Sequence, residues 1–121
     1  MADTIEQKAM KIAMRYEKSR GKNPKDVSRT RCGHDIKSGN RCIEVKGKTS
    51  KKAGWFLIHN SIVRNLGKSL INYYIYVVYD LNNKPKLKVL DPDTVFKNLE
   101  ISTAFLLRTS VVNKYGKDVK L

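Results

Sequence analysis

Two acids flank a tight turn in the stretch GHDIKSGNRCIEVKGK, residues 33–48, and Lys46 follows the second acid by two residues. Gly39-Asn40 suits a two-residue primed hairpin turn, which pairs Ser38 with Arg41. That register sets Ile36 against Ile43 and Asp35 against Glu44. Alternation along the strands then places Asp35, Lys37, Glu44 and Lys46 on one face, with Ile36, Ile43 and Val45 on the other. Opposed side chains have Cβ atoms about 5 Å apart, and like charges so placed repel unless something compensates them. A shared proton, a neighbouring lysine or a divalent cation would each do so, and the third would make a catalytic centre. On a simply exposed hairpin, Lys37 and Lys46 would neutralise the acids, and a one-residue slip of the turn would part them.

The elements that must hold this hairpin follow from periodicity. Ile5, Ala9, Ile12, Ala13 and Tyr16 recur on one helical face, while Lys8, Lys11, Arg15 and Lys18 gather on the other. Asp3 with Glu6, or Thr4 with Gln7, can form a capping box, and Gly21 a stop. Glu17 falls on the margin of the buried stripe, where an acid can look inward. DVSRT reads as a first strand ahead of the hairpin, and GWFLIHN as a short apolar strand after it. A helix is expected at SIVRNLGKSL, residues 61–70. YYIYVVYD is apolar on both alternating faces and reads as a central strand covered from both sides. PKLKVLD follows as its partner, DPDTVFKNLE as a capped helix and STAFLLRTSVV as a last strand. Residues 113–121, NKYGKDVKL, read as a basic, frayed and flexible tail. Short turns between strands and interleaved helices imply a single domain over residues 1–121, of mixed α/β class, with a mixed sheet flanked by helices.

The 121 residues carry 25 Lys and Arg against 11 Asp and Glu, a net charge of +14. Such a surface favours a polyanionic partner, nucleic acid ahead of a membrane, although an excess of charge also serves solubility. No apolar run approaches the roughly 18 residues of a membrane span. Two cysteines do not make the framework of a small secreted domain, so a soluble protein of the cytoplasm is expected. Cys32, His34, Cys42 and His59 are poorly spaced for zinc, and the register sends His34 and Cys42 to opposite faces. Tyr73, Tyr74, Tyr76 and Tyr79 lie in or beside the most apolar strand, where core packing explains them better than base stacking. Trp55 has no such clear role.

Asp35 and, after an eight-residue gap, Glu44-Val45-Lys46, behind a helix with an inward acid, resemble the PD-(D/E)xK nuclease superfamily. More narrowly, Tyr16-Glu17, DVS, GHDIKSG, IEVKG, WFLIHN, YYIYVV and KPKLKVLDP, taken in order, resemble the NO VEIN C-terminal domain family over roughly residues 8 to 95. The resemblance implies a restriction-endonuclease-like core and a metal-dependent nuclease that hydrolyses phosphodiester bonds, with DNA, including branched DNA, as the expected substrate. It implies Mg2+ or Mn2+ held by Asp35, Glu44 and the Val45 carbonyl, with Glu17 completing or tuning the site and Lys46 as the motif lysine. Lys37, Arg41, Lys48, Lys51 and Lys52 are the expected nucleic-acid contacts, and KGKTSKK a flexible basic loop beside the site. A homodimer is expected by analogy with small nucleases of this fold, and association with the nucleoid in a prokaryotic cell. The competing expectation is a non-catalytic nucleic-acid-binding module on the same scaffold.

Overall fold

A computed structural model describes residues 2–30, 32–54, 56–58, 72–99 and 105–121. Helix α1, Ile5–Ser19, begins where the Thr4 hydroxyl accepts the Gln7 N–H at 3.1 Å and the Gln7 side chain accepts the Thr4 N–H at 2.9 Å. Of the two capping boxes open in the sequence, Thr4 with Gln7 is the one formed. Ala9, Ala13, Tyr16 and Glu17 make its buried stripe.

Strands β1 (Pro24–Asp26), β2 (Ile36–Ser38), β3 (Arg41–Gly47), β5 (Tyr73–Tyr79), β6 (Lys86–Leu90) and β8 (Lys117–Val119) form a six-stranded sheet in the order β1-β2-β3-β5-β6-β8. Only β3 and β5 run parallel, so the sheet is mixed. β4 (Phe56–Ile58) pairs antiparallel with β7 (Phe105–Leu107) in a separate two-stranded sheet. Two more helices, α2 (Pro92–Lys97, capped by Asp91) and α3 (Thr109–Tyr115), complete the described elements. The expected helix at residues 61–70, Trp55 and His59 lie outside the described residues.

β5 is buried on both faces, as its unbroken apolar run requires. Tyr76 and Val78 join Ala9, Ala13, Ile36, Ile43 and Leu87 beneath α1. Tyr73, Ile75 and Val77 join Leu90, Val95, Leu107 and Val112 on the other side. Each fully buried aliphatic side chain contributes roughly 1.5–3 kcal/mol, so both layers are needed to hold the central strand. Gly47 lets α1 approach β3 closely: a Cβ there would stand 2.9 Å from the Ala9 Cβ.

Three expectations are corrected. The strand before the hairpin is Pro24–Asp26, not DVSRT, because the Asp26 carboxylate accepts both the N–H and the hydroxyl of Ser28 (3.0 and 2.6 Å) and turns the chain. The stretch STAFLLRTSVV changes from strand to helix at Thr109, where burial of Val112 outweighs β-branched propensity. The basic tail is not free: β8 pairs Val119 with Leu87, and Asp118 takes the Lys88 ammonium at 3.0 Å and the Tyr79 hydroxyl at 2.8 Å.

Candidate functional site

The hairpin register is the one the turn dictates, with Ser38 opposite Arg41 and Ile36 opposite Ile43. β2 covers only Arg41–Ile43 of β3, whereas β5 accompanies β3 from Cys42 to Gly47. Among the described residues no strand pairs with this side of β3 beyond Ile43, which leaves a strand edge, and Asp35 stands beside it. The Asp35 N–H donates to the Ile43 carbonyl at 2.9 Å, and Asp35 Oδ2 accepts the Val45 N–H at 2.8 Å. Because the N–H and C=O of one strand residue point the same way, the Val45 carbonyl faces this edge too.

Glu44 is the neighbouring acid. Its Oε2 accepts the hydroxyl of Tyr73 at 3.0 Å. Burial, then a hydrogen bond with Asp35 and the Asp35 charge, push the Glu44 carboxyl up to about 8, while Lys46 and Tyr73 offset part of that rise. Burial and the two acids in turn drive the Tyr73 phenol well above its ordinary range. Asp35, Glu44, Val45 and Lys46 all line one cleft of about 960 Å³. Its other wall is α1, which contributes Lys11, Arg15 and Lys18, and Arg29 stands on the turn after β1.

Glu17 is brought elsewhere. It is fully buried on the α1 side of the sheet, 2.7 Å from Arg41 Nη1, and it accepts the Tyr76 hydroxyl at 2.6 Å. Arg41 Nη2 donates to the same hydroxyl at 2.8 Å, and the guanidinium lies 4.1 Å from the centre of the Tyr74 ring. Tyr76 pairs with Val45, whose side chain alternates away from that of Glu44, so sheet parity separates Glu17 from the acid pair. Arg41 is tied up in this network, and Lys37 Nζ lies 3.7 Å from the Cys42 sulfur. Lys37, Arg41, Lys48, Lys51 and Lys52 are all absent from the cleft lining. The basic loop is fastened to the end of β5, through Lys48 N–H to the Val78 carbonyl (2.8 Å) and Asp80 N–H to the Ser50 carbonyl (2.8 Å).

Cys32 is exposed and 3.7 Å from His34 Nε2, whereas Cys42 is buried. Burial, then the Lys37 charge, hold His34 below its ordinary value. Among the described residues no group of three or more His, Cys, Asp and Glu side chains gathers as a metal cluster. What the edge offers is two carboxylates and a carbonyl, all hard oxygen donors of the kind that suit Mg2+ or Mn2+ and leave positions for water.

Sequence reasoning missed Tyr73 and the α1 cations as neighbours of the acids. The contact of Tyr73 with Glu44 arises from the parallel pairing of β3 with β5, for which no local pattern speaks. The basic face of α1 was legible, but not that one side of it borders the cleft.

A family described as Protein NO VEIN, C-terminal, matches residues 5–90. The chain belongs to this family. The matched span runs from the start of α1 to the end of β6, so it contains the hairpin, the parallel partner strand and both walls of the cleft. No curated protein and no solved structure matches the chain significantly. No helix among the described residues is long and apolar enough to cross a membrane.

Proposed function

We propose that the chain is a metal-dependent nuclease of the PD-(D/E)xK type, with a restriction-endonuclease-like core, that hydrolyses phosphodiester bonds in DNA. The observation that carries this reading is the convergence of Asp35, Glu44 and the Val45 carbonyl at an uncovered strand edge inside a cleft lined with cations. Asp35 and Glu44 would hold Mg2+ or Mn2+ with the Val45 carbonyl. Such an ion, when bound, supplies relief of negative charge at phosphorus and lowers the pKa of a coordinated water.

The chain's own residues do the rest. Val45 N–H fixes one Asp35 oxygen and leaves the other for ligation. The Tyr73 hydroxyl orients Glu44. Lys46, two residues from Glu44 and on its face of the strand, orients the attacking water and stabilises charge building on the phosphate oxygens. Glu17 supports the scaffold through Arg41 and Tyr76, not the ion. A homodimer would place two such clefts on a duplex, one for each strand.

The test is incubation with supercoiled plasmid, linear duplex and four-way junction DNA, with chelator, Mg2+ or Mn2+, beside Asp35→Asn, Glu44→Gln and Lys46→Ala. Metal-dependent cutting by the wild type that all three variants lose by at least about a hundredfold supports the reading. DNA binding without cutting by any form would make the chain a non-catalytic nucleic-acid-binding module.

A further inference from the structure

We infer that the cleft holds a nucleic-acid duplex by its phosphate backbone, through Arg15, Lys18 and Arg29, without reading base sequence. The inference deepens the nuclease reading, on which it rests for the identity of the polyanion.

Arg15 and Lys18 are three residues apart on α1 and therefore neighbours on one helix face, while Arg29 comes from the turn after β1. All three are exposed, and among the described residues none has an ion-pair partner. Lys11, next along the same stripe, is already engaged with Asp3 at 2.6 Å. Of the four acids in the cleft among the described residues, Asp26 is occupied by Ser28, Asp35 and Glu44 are the proposed ion ligands, and Glu6 stands in the first turn of α1, at the far end of the helix from Arg15 and Lys18. Arg15, Lys18 and Arg29 are thus available to an anion entering along α1.

The rest of the lining argues for the kind of anion. Among the described residues no aromatic side chain lines the cleft, so they offer no platform on which unstacked bases of a single strand would lie. Among the described residues the one side-chain amide in the lining, Gln7, has its oxygen committed to the Thr4 N–H, which removes the bidentate group that reads adenine. Backbone contacts by exposed cations remain, and these carry no sequence information.

The test is fluorescence anisotropy in excess chelator, with two duplexes of unrelated sequence and one single strand of equal length, titrated with KCl. Arg15→Ala, Lys18→Ala, Arg29→Ala and their triple combination are compared with a Lys51→Ala/Lys52→Ala control, after thermal melts establish that all are folded. Each single variant should reduce the slope of log K against log salt by about one unit, equally for both duplexes, and the control should leave it unchanged. Wild type should bind duplex at least about tenfold more tightly than single strand. An unchanged slope in the triple variant, tighter binding of the single strand, or no binding by wild type would overturn the inference. Adding Mg2+ to the same samples separates the two readings. Slope lost without any cutting retains the backbone grip and removes the nuclease, whereas cutting that depends on Asp35 and Glu44 with an unaltered slope does the reverse.

Discussion

Glu17 and Glu44 lie on opposite faces of one sheet, and each accepts a tyrosine hydroxyl from β5, from Tyr76 and Tyr73 respectively. Their electrostatic situations differ. Glu17 has a guanidinium at 2.7 Å and is compensated within the fold. Glu44 has another carboxylate beside it, and Lys46 offsets only part of that cost, so its proton is retained to about 8. An acid that the protein neutralises itself belongs to the scaffold. An acid pair left short of positive charge is completed from outside, by a proton or a cation.

The sharpest way to break this contrast is to remove each acid in turn. Glu17→Ala leaves the Arg41 charge partly buried and Tyr76 without its acceptor, and should cost about 3–5 kcal/mol in urea unfolding. A cost below about 1 kcal/mol would mean that Glu17 does not compensate the Arg41 charge. Glu44→Gln should do the opposite in the metal-free protein. The folded Glu44 value lies above its ordinary 4.5, so between 4.5 and about 8 the native state binds more protons than the unfolded chain. Its stabilising contribution is full below 4.5 and is lost as pH rises through about 8. Metal-free wild type should therefore lose stability across that window, and Glu44→Gln should flatten the loss and be more stable at pH 9 by about 1–3 kcal/mol, read from melts across pH. A wild-type profile that is flat or rises with pH would remove the distinction between the two acids.

A third variant tests how the α1 wall is set against β3. In Gly47→Ala the new methyl meets the Ala9 Cβ at 2.9 Å and Ile5 Cγ2 at 3.0 Å, both on α1. Moving the helix should cost about 1–3 kcal/mol and weaken DNA binding without abolishing metal binding. The smallest effect is expected of Tyr73→Phe, which removes one hydrogen bond worth about 1 kcal/mol. Because that bond lowers the Glu44 value, its loss should move the Glu44 titration, followed by carboxyl NMR shifts, upward from about 8. A downward move would mean that Tyr73 does not serve the ionised form.

The hairpin was legible because its information is local. Gly39-Asn40 sets the turn, and the turn sets the register as far as Ile36 opposite Ile43; Asp35 lies one residue beyond the paired ladder and is held there by its N–H on the Ile43 carbonyl and its carboxylate on the Val45 N–H. The capped start of α1 and the doubly buried β5 were legible for similar reasons, a side-chain cap and an uninterrupted apolar run. The inward turn of Glu17 could be anticipated from helix periodicity, but its destination could not. That depended on which face of β3 the helix covers and on Arg41 reaching it from the strand. The basic loop and the C-terminal residues misled for a related reason. Lysine-rich stretches read as solvated, whereas backbone pairing to β5 and β6 anchors both.

By itself, then, the sequence determined the acid pair, its lysine and the elements bearing them, because turns, caps and alternation act over a few residues. Only the tertiary structure decided that β2 stops short and bares the strand edge, that Tyr73 meets Glu44, and that Arg15, Lys18 and Arg29 share a cleft with the acids. Those outcomes come from the parallel docking of β5 on β3 and the close seat of α1 at Gly47, contacts between residues distant in the chain that no local pattern encodes.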